Sequence, residues 1–333
     1  MREEHINAFH DVPYLNLARE IYLKGTRKTD RTGIGTRAVF SRQMRFDLSR
    51  GFPLLTIKQT FLRGVLEELF WILRGETNIR PLVLKDVHIW NEWPFIAFLK
   101  RMKIDPKKFM EDGELWKNGL AEFVSRIKED EQFALEFGDL GPVYGSQWRN
   151  WQTFVEYEHP DIPDGQTLYL KGKPVDQIAE LIEQLRTNPD SRSIIVTAWN
   201  PSEYKWLRAN SLPPCHMMFQ CDVSDGKLSL DLTQRSCDFF LGVPFNIASY
   251  SALLMMLAHI TGLEVGEFIW NGKNVHLYSN HMGATRLMLS RDPRPSPDLH
   301  ITRTVKSIED FKYEDFELIN YNPHPKIPAP VAV

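Results

Sequence analysis

Apolar and polar residues recur along this chain in two rhythms, and the changes of rhythm divide it into elements. Residues 14–24, YLNLAREIYLK, space their apolar side chains three and four apart, which predicts a helix. Residues 38–48, AVFSRQMRFDL, alternate as a half-buried strand does. Between them lies GTRKTDRTGIGT, a basic, Gly- and Thr-rich loop. Residues 61–75, FLRGVLEELFWILRG, predict a strongly apolar helix stopped at Gly75. VDQIAELIEQLRTN (175–188) has one apolar face and reads as an amphipathic helix. SIIVTAW, MMFQCDV, KLSLDLTQ and EFIWNGKNVHLY read as strands, and SNHMGATRLMLSR as a helix. FNIASYSALLMMLAHITG (245–262) is apolar on every face. It is too short and too interrupted for a membrane span of about 20 apolar residues, so it predicts a buried helix.

Two stretches break this texture. Residues 94–137 are highly charged and helical in pattern, and are expected to be a peripheral helical insertion within a single 1–333 domain. Residues 152–175 carry Pro, Gly and Asp punctuation and suggest a second surface excursion. The C-terminal NPHPKIPAPVAV is proline-rich and extended. Strands and helices do not alternate regularly, and neither GxGxxG after a strand nor GxxxxGK[ST] occurs. The expected fold class is α+β, a mixed sheet packed by helices.

Composition narrows the function more by exclusion than by pointing. The chain has 333 residues, 43% hydrophobic and 25% charged, with a formal net charge of −3, which disfavours a general nucleic-acid binder. Cys215, Cys221 and Cys237 are odd in number and show no CxxC spacing, so neither a disulfide framework nor a zinc knuckle is indicated. The N-terminal MREEHINAFHDVPY lacks the apolar core of a signal peptide. The expected setting is a reducing cytoplasm, without membrane or DNA.

Candidate chemistry begins at SLPPCHMMFQ (211–220). Pro213 and Pro214 fix the backbone just ahead of Cys215, a rigid mount for a nucleophile. A cysteine in an apolar run is more commonly packing, and Cys221 and Cys237 keep that reading. His216 follows directly, but neighbours on a strand face opposite ways, so it is not automatically the thiol's base. In TQRSCDFFLGVPFN, Arg235 and Ser236 suit an oxyanion or phosphate, with Asp238 two residues on. Asn246 offers a donor and an acceptor to a pyrimidine edge, or simply caps a helix. Glu67 and Glu68 project about 100° apart on a helix, so one can face solvent while the other faces apolar walls with a raised pKa. His276 and Tyr278 share one strand face and can bond sugar hydroxyls, while His281 completes no standard metal pattern. Trp90 and Trp93 offer stacking surfaces to a flat heterocycle.

Taken in order, DRTGIGT, LEELFW, GDLGPVYGSQWRNW, LPPCH, QRSCDFFLGVPFNIASY, HLYSNH and PHPKIPAPVAV resemble the thymidylate synthase family, from about residue 14 to Val333. The resemblance implies reductive methylation of dUMP to dTMP with 5,10-methylenetetrahydrofolate as the consumed cosubstrate, giving dihydrofolate, and no metal. It implies that Cys215 adds to C6 of dUMP, with Asn246 on the pyrimidine C4 oxygen and N3–H. Glu68 would manage protons at that oxygen through water, and Tyr144 would assist loss of the C5 proton. Arg31, Arg235 and Ser236 would hold the phosphate, joined by Arg192 from a second subunit, which implies a homodimer. His276 and Tyr278 would take the ribose 3′-hydroxyl, and Asp238 would belong to the dUMP site as well as to the folate site. Trp90, Trp93, Leu212, Asp238, Gly242, Phe245 and Val333 would line and close the folate site.

Five positions depart from the family's usual residues: Gln59, Asn91, Ser193, Thr233 and Asn274. They suggest a specialised member. A sister activity stays open in which water replaces hydride, giving a 5-hydroxymethyl pyrimidine nucleotide. A non-catalytic homologue that binds nucleotide or RNA is the reading from another class.

Overall fold

The computed structural model describes residues 9–30, 32–157 and 167–331. A six-stranded sheet forms the centre. Its strands are β1 (Thr26–Lys28), β2 (Thr36–Asp47), β5 (Ile195–Thr197), β6 (His216–Ser224), β7 (Lys227–Asp238) and β8 (Glu264–Tyr278). They lie in the order β1-β2-β8-β7-β6-β5. Every pairing is antiparallel except β7 with β8, which is parallel, so the sheet is mixed as expected. The GTRK stretch read as loop contributes the short edge strand β1. Two small pairs stand apart: β3 (Phe154–Tyr157) with β4 (Leu168–Lys171), inside the second excursion, and β9 (Asp298–Ile301) with β10 (Phe316–Ile319).

A parallel β7–β8 pair needs a crossover, and the apolar run supplies it as α11 (Gly242–Thr261). Leu253, Leu254, Met256 and Leu257 of that helix are fully buried, as an all-round apolar helix requires. α11 packs on β7, β8 and α2 (Leu62–Leu73), while α1 (Asp11–Lys24) lies against β2. Along β7, Leu228, Leu230, Leu232 and Gln234 are buried and alternate with half-exposed Ser229, Asp231 and Thr233. Helices therefore cover one face of the sheet, and the other face is polar. On that polar face the Asn271 amide donates to Asp231 at 2.6 Å and Gln43 donates to Asn271 at 2.8 Å.

Residues 80–137 build α3 (Arg80–Leu84), α4 (Glu92–Arg101), α5 (Pro106–Glu111), α6 (Gly113–Glu129) and α7 (Glu131–Phe137). Asp105, Asp112 and Asp130 accept backbone N–H groups at the starts of α5, α6 and α7, which divides the charged stretch into separate helices. An aromatic cluster including Phe95, Phe98, Phe123 and Phe133 joins them. α8 (Tyr144–Arg149), α9 (Gln177–Thr187), α10 (Tyr204–Asn210) and α12 (Met282–Leu289) complete the helices. Gly75 ends the α2 turn with φ +74°, and a Cβ on Gly145 would meet the Glu76 carbonyl at 2.4 Å. These two glycines let α8, and Tyr144 with it, pack directly onto the end of α2.

Candidate active site

Cys215 sits immediately before β6, half-buried, and its backbone is held from both sides. Its N–H donates to the Tyr144 phenol oxygen at 2.7 Å, and its carbonyl accepts from the Arg235 N–H at 2.8 Å. The Arg235 guanidinium donates to the Pro214 carbonyl at 2.8 Å and the Pro213 carbonyl at 2.7 Å. Two prolines and one arginine thus fix the mount, and the remaining guanidinium N–H groups can take an anion. The ring of Trp199 lies 5.4 Å from that guanidinium.

Tyr144 is buried, and burial pushes its phenol well above the ordinary range, so it stays a neutral hydroxyl. It accepts N–H groups from Cys215 and, at 3.3 Å, from His216. Its own proton remains for a third partner. His216 also hydrogen-bonds with Asn246, and burial holds its imidazole down at about 4. His216 therefore stays neutral near pH 7.

The orientation of Asn246 can be derived. The Trp270 indole N–H, which can only donate, bonds to Gln234 Oε1 at 2.8 Å. Gln234 Nε2 must then donate, and it does so to Asn246 Oδ1 at 3.0 Å. Asn246 Oδ1 is thus the acceptor side, and its amide nitrogen is the donor side.

Neither glutamate of α2 faces open solvent. Glu67, expected on one side or the other, is buried and paired with Lys85 at 2.5 Å. Glu68 is half-buried and accepts the Trp90 indole N–H at 2.7 Å. Burial outweighs that bond and pushes the Glu68 carboxyl up to about 7. Helix geometry separates the two side chains as expected, but Lys85 reaches in from the end of α3 and covers the second one.

At the other end of β7, Ser236 and Asp238 pair across the parallel ladder with Asn274 and His276. His276 Nδ1 lies 3.0 Å from Asn274 Oδ1 and 3.2 Å from the Asn274 carbonyl. Both partners accept, so Nδ1 carries the proton and Nε2 is a lone pair suited to a hydroxyl donor. The rings of His276 and Tyr278 meet edge to face at 5.1 Å. Asp238 accepts the N–H groups of Phe240 and Leu241, each at 3.1 Å, and so fixes the turn into α11 that carries Gly242, Phe245 and Asn246. Tyr14 and the buried Lys58 hold the same turn by donating to the carbonyls of Phe239 and Phe240. Burial lowers the Lys58 ammonium to about 8.

Trp90 and Trp93 lie 5.3 Å apart, with Trp90 6.1 Å from Tyr144. Trp93, Leu212 and Pro213 line a cavity of about 150 Å³ together with Lys100 and Arg208. An aromatic side chain with two cations in one lining suits a flat heterocycle that carries an acidic tail. Among the described residues, no His, Cys, Asp and Glu group could hold a metal ion.

Arg192 is the predicted phosphate ligand that this single chain does not bring to Cys215. Ile195 pairs with Gln220, five residues along β6 from Cys215. At about 3.3 Å per residue that is roughly 16 Å, and Arg192 lies three residues beyond Ile195. Ser193, beside it, is exposed. Arg31 and Val333 lie outside the described residues. Of the other departures, Gln59 is exposed, Thr233 lies on the polar sheet face between Met218 and Asn271, and Asn91 is buried.

The thiol on its fixed mount, the neutral phenol behind it, the oriented amide and the carboxyl near neutrality converge at one end of the sheet. Residues 12–333 match the family described as Thymidylate synthase. The chain belongs to the thymidylate synthase family. This family comprises enzymes that transfer a one-carbon unit to a pyrimidine nucleotide, with methylenetetrahydrofolate as the usual donor.

In this thymidylate synthase-family chain the sequence pattern does not single out Gln234 or Lys58, and it gives His216 no partner. The strand pattern says of His216 only that it is not automatically the base of Cys215; its partner in the structure is Asn246, and the strand becomes irregular just after it, between His216 and Met218. Gln234 had a usable signal, since it directly precedes Arg235 on an apolar strand face where a buried amide needs partners. Lys58 had none: one lysine in TIKQT looks like any other surface cation.

Proposed function

We propose that this enzyme converts dUMP to dTMP, with Cys215 as nucleophile and 5,10-methylenetetrahydrofolate as cosubstrate. The carrying observation is the double anchoring of the Cys215 backbone by Tyr144 and Arg235. In this reading the thiolate bonds to C6, and the C5–C6 π pair moves onto C5 and the C4 oxygen. Asn246 donates to that oxygen, and Glu68, near its midpoint at neutral pH, gives and takes a proton there through water. Tyr144 serves the C5 proton. Arg235, Ser236 and Arg31 hold the phosphate, and His276 with Tyr278 the ribose. When bound, the cosubstrate supplies the one-carbon unit and, for methylation, a hydride.

The displacement of Arg192 from its own Cys215 supports a homodimer in which it reaches the partner's phosphate site. The helix-free polar sheet face is the natural surface for that pairing.

Asn91 favours a second reading. Its Nδ2 meets His88 at 2.9 Å, but its buried Oδ1 has no partner. Asn91 follows Trp90 in the chain and lines the neighbouring cleft with His88, Glu92 and Trp116, so a water held by this orphaned acceptor would sit behind the Trp90 wall, which suits a hydroxymethylase. The deciding experiment incubates the protein with dUMP and methylenetetrahydrofolate, and reads nucleotide mass together with dihydrofolate absorbance. dTMP with equimolar dihydrofolate is expected. Hydroxymethyl product without dihydrofolate would establish the second reading, and no product would overturn both.

Gly242 separates folding from binding. A Cβ there would meet Asp238 Cβ at 3.7 Å and Asn246 Oδ1 at 3.8 Å, ordinary contacts in the ligand-free chain. Gly242→Ala is therefore expected to leave the thermal midpoint essentially unchanged. It should raise the cosubstrate KM on the order of tenfold, the scale of one misplaced methyl group in a tight site. A KM within twofold of the parent would remove Gly242 from the cosubstrate wall.

A further inference from the structure

We propose that His281 is a positioning residue that couples docking of the C-terminal segment to Asp238; the proposal rests on the cosubstrate site described above. His281 is fully buried at the start of α12. Its Nε2 lies 2.8 Å from the Pro330 carbonyl, which can only accept, so Nε2 carries the proton. In the neutral ring Nδ1 is then an acceptor. Among the described residues it has no hydrogen-bond partner, although it is buried, and it lies 3.9 Å from Asp238 Oδ1. That separation is too long for a hydrogen bond, and the two atoms facing each other both accept. The rings of Phe240 and Tyr278, each 5.5 Å away, hold the imidazole in place.

A docked tail therefore leaves one buried acceptor unsatisfied beside the carboxylate of the cosubstrate site. A ligand bringing N–H donors, or a water held by it, completes both acceptors at once. An unmade bond to a buried acceptor is costly, so tail docking and ligand binding favour each other, and by linkage each raises the other's affinity by the same factor. Asp238 itself is already tied to the Phe240 and Leu241 N–H groups, so it offers a fixed reference for this coupling.

Two substitutions separate the halves of the device. His281→Gln keeps a donor at the Nε2 position for Pro330 and loses the Nδ1 acceptor. His281→Asn keeps a polar group near Asp238 and is too short to reach Pro330. Tail docking is read by the rate at which carboxypeptidase shortens the chain, and coupling by the cosubstrate KM and the dUMP dissociation constant. His281→Gln should keep the tail as resistant as in the parent, while the cosubstrate KM rises about tenfold and dUMP binding is unchanged. His281→Asn should release the tail as well. In a chain lacking residues 330–333, both substitutions should change the KM less than twofold.

Equal effects with and without the tail, a parallel loss of dUMP affinity, or tail digestion unchanged in His281→Asn would each overturn the proposal. Thermal unfolding identifies a variant that fails to fold, and the other variant then decides. If the parent binds neither dUMP nor cosubstrate, the proposed function fails instead, and the digestion rates still test the contact with Pro330.

Discussion

Cys215→Ala is expected to abolish product formation, lowering kcat by at least about 10⁴-fold, while dUMP still binds within a few-fold of the parent affinity. The split follows from which atoms do what. The bonds that build the mount come from the Cys215 backbone, whose N–H and carbonyl meet Tyr144 and Arg235. An alanine keeps both, and the residue is only half-buried, so unfolding should shift by less than about 1 kcal/mol. The groups assigned to the phosphate, ribose and base lie on other side chains. What disappears is the one atom able to form the bond to C6. Turnover without that bond would require activating an unactivated pyrimidine C5 by another route. Measured turnover in Cys215→Ala near the parent's would therefore end the covalent assignment. Lost dUMP binding would show instead that the thiol supports the pocket's shape.

The same division, backbone for position and side chain for chemistry, explains what could be seen before the structure. Periodicity reports elements that bury a whole face, so α11 and the alternating β7 were legible. It fails for β9 and β10, four residues each, because a 14-residue gap separates them and their register pairs Phe316 with Ile301. Such pairing is decided by tertiary contacts, which a local pattern does not carry. Candidate chemistry stood out where residue types cluster in sequence, as at Cys215 and at Arg235–Asp238. It was hidden where the fold brings distant residues together. Lys85 over Glu67, and Trp270 through Gln234 onto Asn246, are contacts across 18 and 36 residues, and the second then runs a further 12 to Asn246. Arg192 marks the remaining limit, because the role proposed for it depends on a second subunit that a single chain does not contain.

These hidden contacts share a physical theme. Gln234, Glu68 and His281 are polar groups in apolar surroundings, and the last two have fewer partners than they could use. Gln234 is fully engaged and orients Asn246, whereas Glu68 accepts one indole N–H and burial pushes its carboxyl up to about 7. His281 keeps one bond of two. Stability would be better served by apolar replacements at the last two positions, so their presence is a cost that function must offset.

Glu68→Gln measures that cost, and is expected to slow turnover by about 10²- to 10⁴-fold while stabilising the fold above neutral pH. The carboxyl titrates at about 7 in the folded chain against an ordinary value of 4.5. Between those values the folded state holds a proton that the unfolded state has released, so stability falls as pH rises through this window. Below 4.5 both states are protonated and the contribution is fully present; above 7 it is lost. Glutamine keeps an oxygen for the Trp90 indole and has no proton to lose. The stability difference between Glu68→Gln and the parent should therefore grow in the variant's favour from pH 4.5 to pH 8, by on the order of 1–2 kcal/mol once partial exposure is allowed for. Asp11, pushed up to about 6 by burial, gives the parent a slope of the same sign, but it is common to both proteins and cancels in the difference. Urea unfolding at a series of pH values reads the effect, and the pH profile of kcat/KM should lose its limb near 7 in the same variant. A stability difference independent of pH would mean that Glu68 is ionised at neutrality, and the proton traffic at the C4 oxygen would have to be assigned to another group, with the Tyr144 hydroxyl the next in reach of the site.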